Sequence, residues 1–305
     1  MVQNTVDQVE DGRLACRSSV ARWGLCALFL LPLAAFAGQG NGPISLKMKF
    51  VPNETIKYQT SMQMDITMRQ SAQAEPMKMP MTMSMVQDWQ VTKINPDGSA
   101  MILTTTHDMQ SKMNGQTMPN GAAGPASMTL HISPQGKVLS TQGAPGFNAT
   151  NPFGSLSLNG MGAFLPTKPV KPGDTWTQSI NLPGFTGGGG TAKSTLVSFE
   201  NVGHFKTARI RTVATIPLNV LMGANGRPTH TASQAMMRMN GLCKVMGDTN
   251  FAIAEGKIIR SAVNGNINMS MKTNTSSGKS SSTARGGPQS MTMRMKMTMA
   301  MNMIQ

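Results

Sequence analysis

Thirty of the 305 residues are methionine, and these side chains offer the most chemistry in the sequence. A thioether is soft enough to ligate Cu(I). It is also flexible and polarizable, so it adapts to varied apolar shapes or simply fills a core. Met62, Met64 and Met68 share one parity with Ile66, and Met77, Met79, Met81, Met83 and Met85 share another that Trp89 and Val91 continue. Met269 and Met271 extend the alternating run from Val263 and Ile267. Met291, Met293, Met295, Met297, Met299, Met301 and Met303 then occupy every odd position of the last stretch. Three readings follow. The thioethers pack as core, they line a cavity for an apolar or lipid-like ligand, or some of them bind Cu(I), with Met291, Met293, Met295 and Met297 the candidate ligands. The run is too long and regular for a closed metal site, and no His–Met cluster accompanies it.

Other signatures are sparse. There is no Gly-x-Ser-x-Gly, His-Glu-x-x-His or Cys-x-x-Cys, so a catalytic role is not expected. Gly187-Gly188-Gly189-Gly190-Thr191-Ala192-Lys193-Ser194 approaches a phosphate loop. It has Ala192 where that motif needs Gly, and a strand pattern follows where a helix should begin. His107, His131, His204 and His230 lack ligand spacing and read as strand or loop surface residues. Cys243 reads as a buried, inert thiol. No cofactor is implied.

The elements that position the methionines follow from their spacing. Strict alternation puts all thioethers on one face of a β-strand and the intervening Thr, Arg, Lys and Asn on the other; a helix would scatter them. The sequence therefore predicts long antiparallel strands with one wet face. Asn95-Pro96-Asp97-Gly98, Asn114-Gly115, Pro134-Gln135-Gly136 and Glu255-Gly256 mark hairpin turns. Residues 142–190, rich in Gly, Pro and Asn, read as a bridge lying across the sheet, with room for a short helix; 274–290 read as a flexible loop. The fold class expected is mainly β: an antiparallel meander curled into a half-barrel or open barrel, with a loop-rich covering segment.

Residues 1–37 resemble an export signal. Arg17 and Arg22 precede an apolar run that ends in Ala35-Phe36-Ala37, with cleavage expected before Gly38. Interrupted by Pro32, the run is short for a span of about 20 residues. A single domain, 38–305, follows in the periplasm or outside the cell. Cys16 and Cys26 leave with the signal, so Cys243 has no disulfide partner within the chain. The signal carries three basic and three acidic residues, so the formal balance stays at +14, which favours an anionic envelope surface as partner. Nucleic acid is not expected, since few aromatic side chains are present to stack on bases. The same scarcity argues against a transmembrane barrel with aromatic girdles.

Several short motifs resemble an exported bacterial family of unknown function. They are Asn53 to Met64, ending in Met-Gln-Met, the Asn-Pro-Asp-Gly turn, Pro169-Val170-Lys171-Pro172-Gly173-Asp174-Thr175-Trp176, and Ala254-Glu255-Gly256-Lys257 before a Met-x-Met strand. The resemblance implies a β-rich envelope protein and supplies no catalytic residues. More loosely, the predicted architecture is similar to lipoprotein-carrier half-barrels. The combined expectation is a non-enzymatic envelope protein with an apolar-ligand face built from the methionines named above and Trp89.

Overall fold

The computed structural model describes residues 42–70, 74–118, 126–143, 165–180, 189–223, 235–273 and 290–304, within one compact unit that begins at Gly42. The expected signal segment, residues 144–164 and 181–188 of the bridge, and the loop 274–289 lie outside the described residues.

Every described element is a strand: β1 (Thr55–Arg69), β2 (Met77–Ile94), β3 (Ala100–Met113), β4 (Gln116–Thr117), β5 (Ala126–Ile132), β6 (Val138–Gly143), β7 (Thr175–Ile180), β8 (Gly190–Val202), β9 (Phe205–Gly223), β10 (Ala235–Ala252), β11 (Lys257–Thr273) and β12 (Ser290–Ile304). They form one antiparallel sheet in the order β6-β5-β3-β2-β1-β12-β11-β10-β9-β8-β7, with β4 paired to β3. The chain starts in the middle at β1, meanders to one edge, crosses to the other edge at β7, and meanders back to place β12 beside β1. The edges β6 and β7 are not paired to each other, so the sheet is an open half-barrel.

Prolines sit where this ladder tolerates them. Pro80 of β2 lies one residue beyond the last β2–β3 pair, Met81↔Met113. Pro217 of β9 lies beyond the pair Thr191↔Thr215, where β8 has stopped. On the β3 side of Pro80 and the β8 side of Pro217, no ladder hydrogen bond is interrupted.

The curl is visible in the core. Leu130 and Ile132 of β5, near one edge, share a buried cluster with Leu196 of β8, near the other, and with Ile210, Phe251 and Met301. Two irregular segments hold this end shut. Residues 42–50 run beneath the strands: Ile44 and Val170 exchange backbone hydrogen bonds, Met48 N–H donates to Pro134 O, and Lys49 N–H donates to Gly256 O. Gly256 has φ +66°, and a Cβ there would lie 2.5 Å from Lys49 N, so the β10–β11 turn needs glycine for conformation and clearance alike. The second segment, 165–174, spans the two edges. Leu165 N–H donates to Gln135 O in the β5–β6 turn, Gln178 Nε2 on β7 donates to Leu165 O, and Gly173 N–H donates to Leu196 O. This described part of the bridge is irregular chain; no helix occurs in it.

Candidate functional site

The pairing registers gather the methionines of three neighbouring strands onto one concave face. Across β2, β1 and β12 the rows read Met83–Met62–Met299, Met81–Met64–Met297, Met79–Ile66–Met295 and Met77–Met68–Met293. Beyond β12, Met293 faces Met269 and Met291 faces Met271. At the other end of β1, Met85 is opposite Thr60, Trp89 opposite Ile56, Met301 opposite Thr60 and Met303 opposite Tyr58. The alternating residues of β12, including Arg294, Lys296, Thr298 and Asn302, are exposed on the convex side.

Burial along this face is graded. Met62, Met299, Met301 and Trp89 are buried in the large core cluster, and Met299 and Met301 are at most 2 % exposed. Met269 and Met295 are buried in a second cluster with Ile180, Ile216, Leu218 and Cys243. Met64, Met68, Met79, Met81, Met83, Met85, Met271, Met291, Met293, Met297 and Met303 are half-buried, and Met77 is 58 % exposed. Small residues on the neighbouring strands make room for the long side chains. Met64, Met297, Gly265, Val245, Ala214 and Ala192 follow one another along one row of pairings, and a Cβ on Gly265 would lie 3.2 Å from the Met297 methyl. Flexible thioethers thus fill space that glycine and alanine leave open.

The end where β1 begins is filled. Tyr58 and Trp89 meet edge to face at 5.2 Å, an arrangement that contributes about 0.5–1.5 kcal/mol beyond burial. Burial holds the Tyr58 phenol far above its ordinary pKa, and the Glu54 carboxylate adds to the effect. A void of ≈ 10 Å³ lined by Met48, Phe50, Ile56, Tyr58, Trp89 and Val91 remains there. It has room for about one water. Trp89 Nε1 and Glu54 Oε2 are buried without a hydrogen-bond partner among the described residues, and both residues line that void.

The titratable groups lie elsewhere. Cys243 is buried on β10 opposite Ile216 and Ile267, and desolvation pushes its thiol up to about 11. Among the described residues no three His, Cys, Asp or Glu side chains come together as a metal cluster.

Two arrangements were not legible in the linear spacing. The first is Asp97, Ser99 and His131. The Ser99 hydroxyl donates to Asp97 Oδ1 at 2.6 Å and lies 2.8 Å from His131 Nε2. Its single proton is committed to Asp97 and its oxygen accepts from Asn95 Nδ2 at 3.0 Å, so the Ser99 hydroxyl is not donated to the imidazole as base activation would need. Ser99 is also only 1 % exposed, so the trio fastens the β2–β3 turn. The hydrogen bonds from the Ser99 hydroxyl and N–H hold the Asp97 carboxyl below its usual value. The second is His107, wedged between Asp108 at 2.8 Å and Asp88 at 3.3 Å. A bulge opposite Met85 places Asp108 at φ +51° beside it, and the two carboxylates, Asp108 foremost, raise its pKa.

No family model matches this chain, and none of the curated proteins is similar to it. The class is therefore defined by the fold and the face themselves: an open antiparallel half-barrel, plugged at one end, with a thioether-lined concavity toward the other.

Proposed function

We propose that this chain is an exported, non-enzymatic envelope protein that holds an apolar or lipid-like ligand on its concave face. The observation that carries this reading is the grade of burial. Half-buried Met68, Met79, Met81, Met271, Met291 and Met293 on β1, β2, β11 and β12 lie toward the end of the sheet away from the plug and outside the large core cluster and its packed neighbours, with Met271 and Met293 resting against the second cluster. Methionine suits such a surface because its unbranched chain re-packs around differing acyl or ring shapes at little cost. The signal-like residues 1–37 and the resemblance to an exported β-rich family supply the address. The test is mass spectrometry of organic extracts from protein purified out of its native host. A stoichiometric apolar molecule is the expected result; a lipid-free extract from protein that also fails to take up a fluorescent fatty acid removes the reading.

One observation favours a second reading, Cu(I) binding. Cys243 shares its buried cluster with Met269 and Met295, and Met293 packs against that cluster. A thiolate with thioethers is a soft donor set. Titration with Cu(I) against a competing chelator separates the two: retention of copper by the native protein and its loss in Cys243→Ser and Met295→Leu would replace the lipid with the metal.

A further inference from the structure

The convex side of the sheet is polar over β1, β11 and β12, as an exposed antiparallel face should be. It changes character over three adjacent strands. Five of the ten large hydrophobic side chains exposed among the described residues are Val197, Val213, Met236, Leu242 and Met246, and these belong to β8, β9 and β10. The register brings three of them together: Val213 is directly opposite Met246, and Leu242, four residues from Met246 on the same face of β10, is opposite Pro217. None points inward; each alternates with a core residue such as Leu196, Ala214, Ala235 or Cys243.

Cations surround this apolar area. Lys193 is paired with Val213 from the β8 side, Lys244 lies between Leu242 and Met246 along β10, and Arg238 follows Met236. Arg238 stands directly opposite Lys272 of β11, and like charges at a cross-strand pair destabilise a sheet unless something neutralises them. None of these four cations is in an ion pair among the described residues, whereas Arg209 and Arg211 at the far end of the patch are held by Asp248.

We propose that the convex face of β8–β10 docks on an anionic membrane surface, with Val213, Leu242 and Met246 entering the interface and Lys193, Arg238, Lys244 and Lys272 contacting lipid phosphates. The chemistry selects this occupant. A second copy of the chain would set cations against cations. A nucleic acid or anionic polysaccharide would use the charges and leave the apolar side chains in water. An interface with apolar acyl chains beneath a phosphate layer satisfies both sets at once. The inference is independent of the ligand reading, because the residues it uses face away from the concavity.

Vesicle flotation of the purified chain tests it, using phosphatidylcholine with and without phosphatidylglycerol. Flotation with the anionic vesicles alone, weakened by salt, is expected. Val213→Thr/Leu242→Gln/Met246→Gln should lower partitioning roughly tenfold by removing apolar insertion. Arg238→Glu/Lys272→Glu should lower it by at least about tenfold, since each cation near such a surface contributes about 1 kcal/mol. The distant pair Lys78→Glu/Lys112→Glu should change it little. These side chains are exposed, so circular dichroism should show all variants folded. Absence of flotation, equal flotation with neutral vesicles, an unaffected apolar triple variant, or an equal loss in the distant pair would each overturn the proposal.

Discussion

At the end of the sheet where β1 begins, residues 95–99, 133–137, 203–204 and 253–256 join the strands, and residues 42–50 and 165–174 are hydrogen-bonded across the interior. At the opposite end, apart from the Asn114-Gly115 turn, the strands lead into 70–76, 118–125, 144–164, 181–189, 224–234 and 274–289, all longer connections. Charged side chains reinforce the first end. Lys257 pairs with Glu54, and Asn250 joins Glu200, Thr207 and Arg260 in one hydrogen-bonded group. The same alternating sequence therefore has two consequences. Where irregular chain or the second cluster covers it, a methionine becomes core, as Met301 and Met295 do; toward the far end, methionines of equal spacing such as Met68, Met79 and Met291 stay half-buried.

The sharpest test of this contrast lies within β12, whose odd positions are chemically identical. Met301→Ala, at 0 % exposure, should cost about 2–5 kcal/mol in urea denaturation. Met291→Ala, half-buried ten residues earlier, should cost roughly 1 kcal/mol or less. Equal losses would erase the distinction between the ends.

A smaller effect separates two glycines on the concave face. A Cβ on Gly241 would lie 2.4 Å from Asn268 O and 3.0 Å from Met269 Cα, both backbone atoms that cannot swing aside. Gly241→Ala should therefore destabilise by about 1–3 kcal/mol. At Gly265 the tightest neighbour is the mobile Met297 methyl at 3.2 Å. Gly265→Ala should stay within about 0.5 kcal/mol of the parent, and an equal penalty at both sites would contradict yielding thioether packing.

Much of this architecture was legible in the chain. Period-two spacing placed every odd residue of 291–303 on one face, and four turn signals fell on observed hairpins, with Gly98, Gly136 and Gly256 all at positive φ. Strand order was not legible, because parity says which way a side chain points and nothing about its neighbour across the ladder. The pairing of β1 with β12, which creates the double methionine rows, joins segments more than two hundred residues apart. The grade of burial escaped for a related reason: it depends on residues 42–50 and 165–174, whose irregular sequence gives no periodic signal. The convex patch was hidden because Leu242 and Met246 look like core until β10 shows Cys243 pointing the other way.

Two titrations probe environments rather than packing. Cys243, with its thiol pushed up to about 11, should resist an aromatic disulfide reagent at mildly alkaline pH and react at once on unfolding; rapid native reaction would mean that the second cluster is open. His107 tests the convex surface. Its folded pKa is raised above the ordinary 6.5, so the protonated form is favoured by folding. Its stabilising contribution is full below that value and disappears as pH rises through the raised one. NMR titration should show the elevated midpoint, and Asp108→Asn should lower it. An unshifted midpoint in the parent would place the ring away from both carboxylates.

Residue-resolved methionine oxidation tests the central contrast most directly, because conversion to the sulfoxide follows exposure and is read separately at each side chain. Under limiting peroxide the account predicts that the exposed Met77, Met236 and Met246 oxidise first and half-buried Met68, Met79, Met291 and Met293 next. Met62, Met299 and Met301 should react last, only as the fold opens, and an added fatty acid should slow the intermediate group alone. Equal rates along Met291 to Met303, or protection of Met236 and Met246 in place of the concave residues, would contradict it.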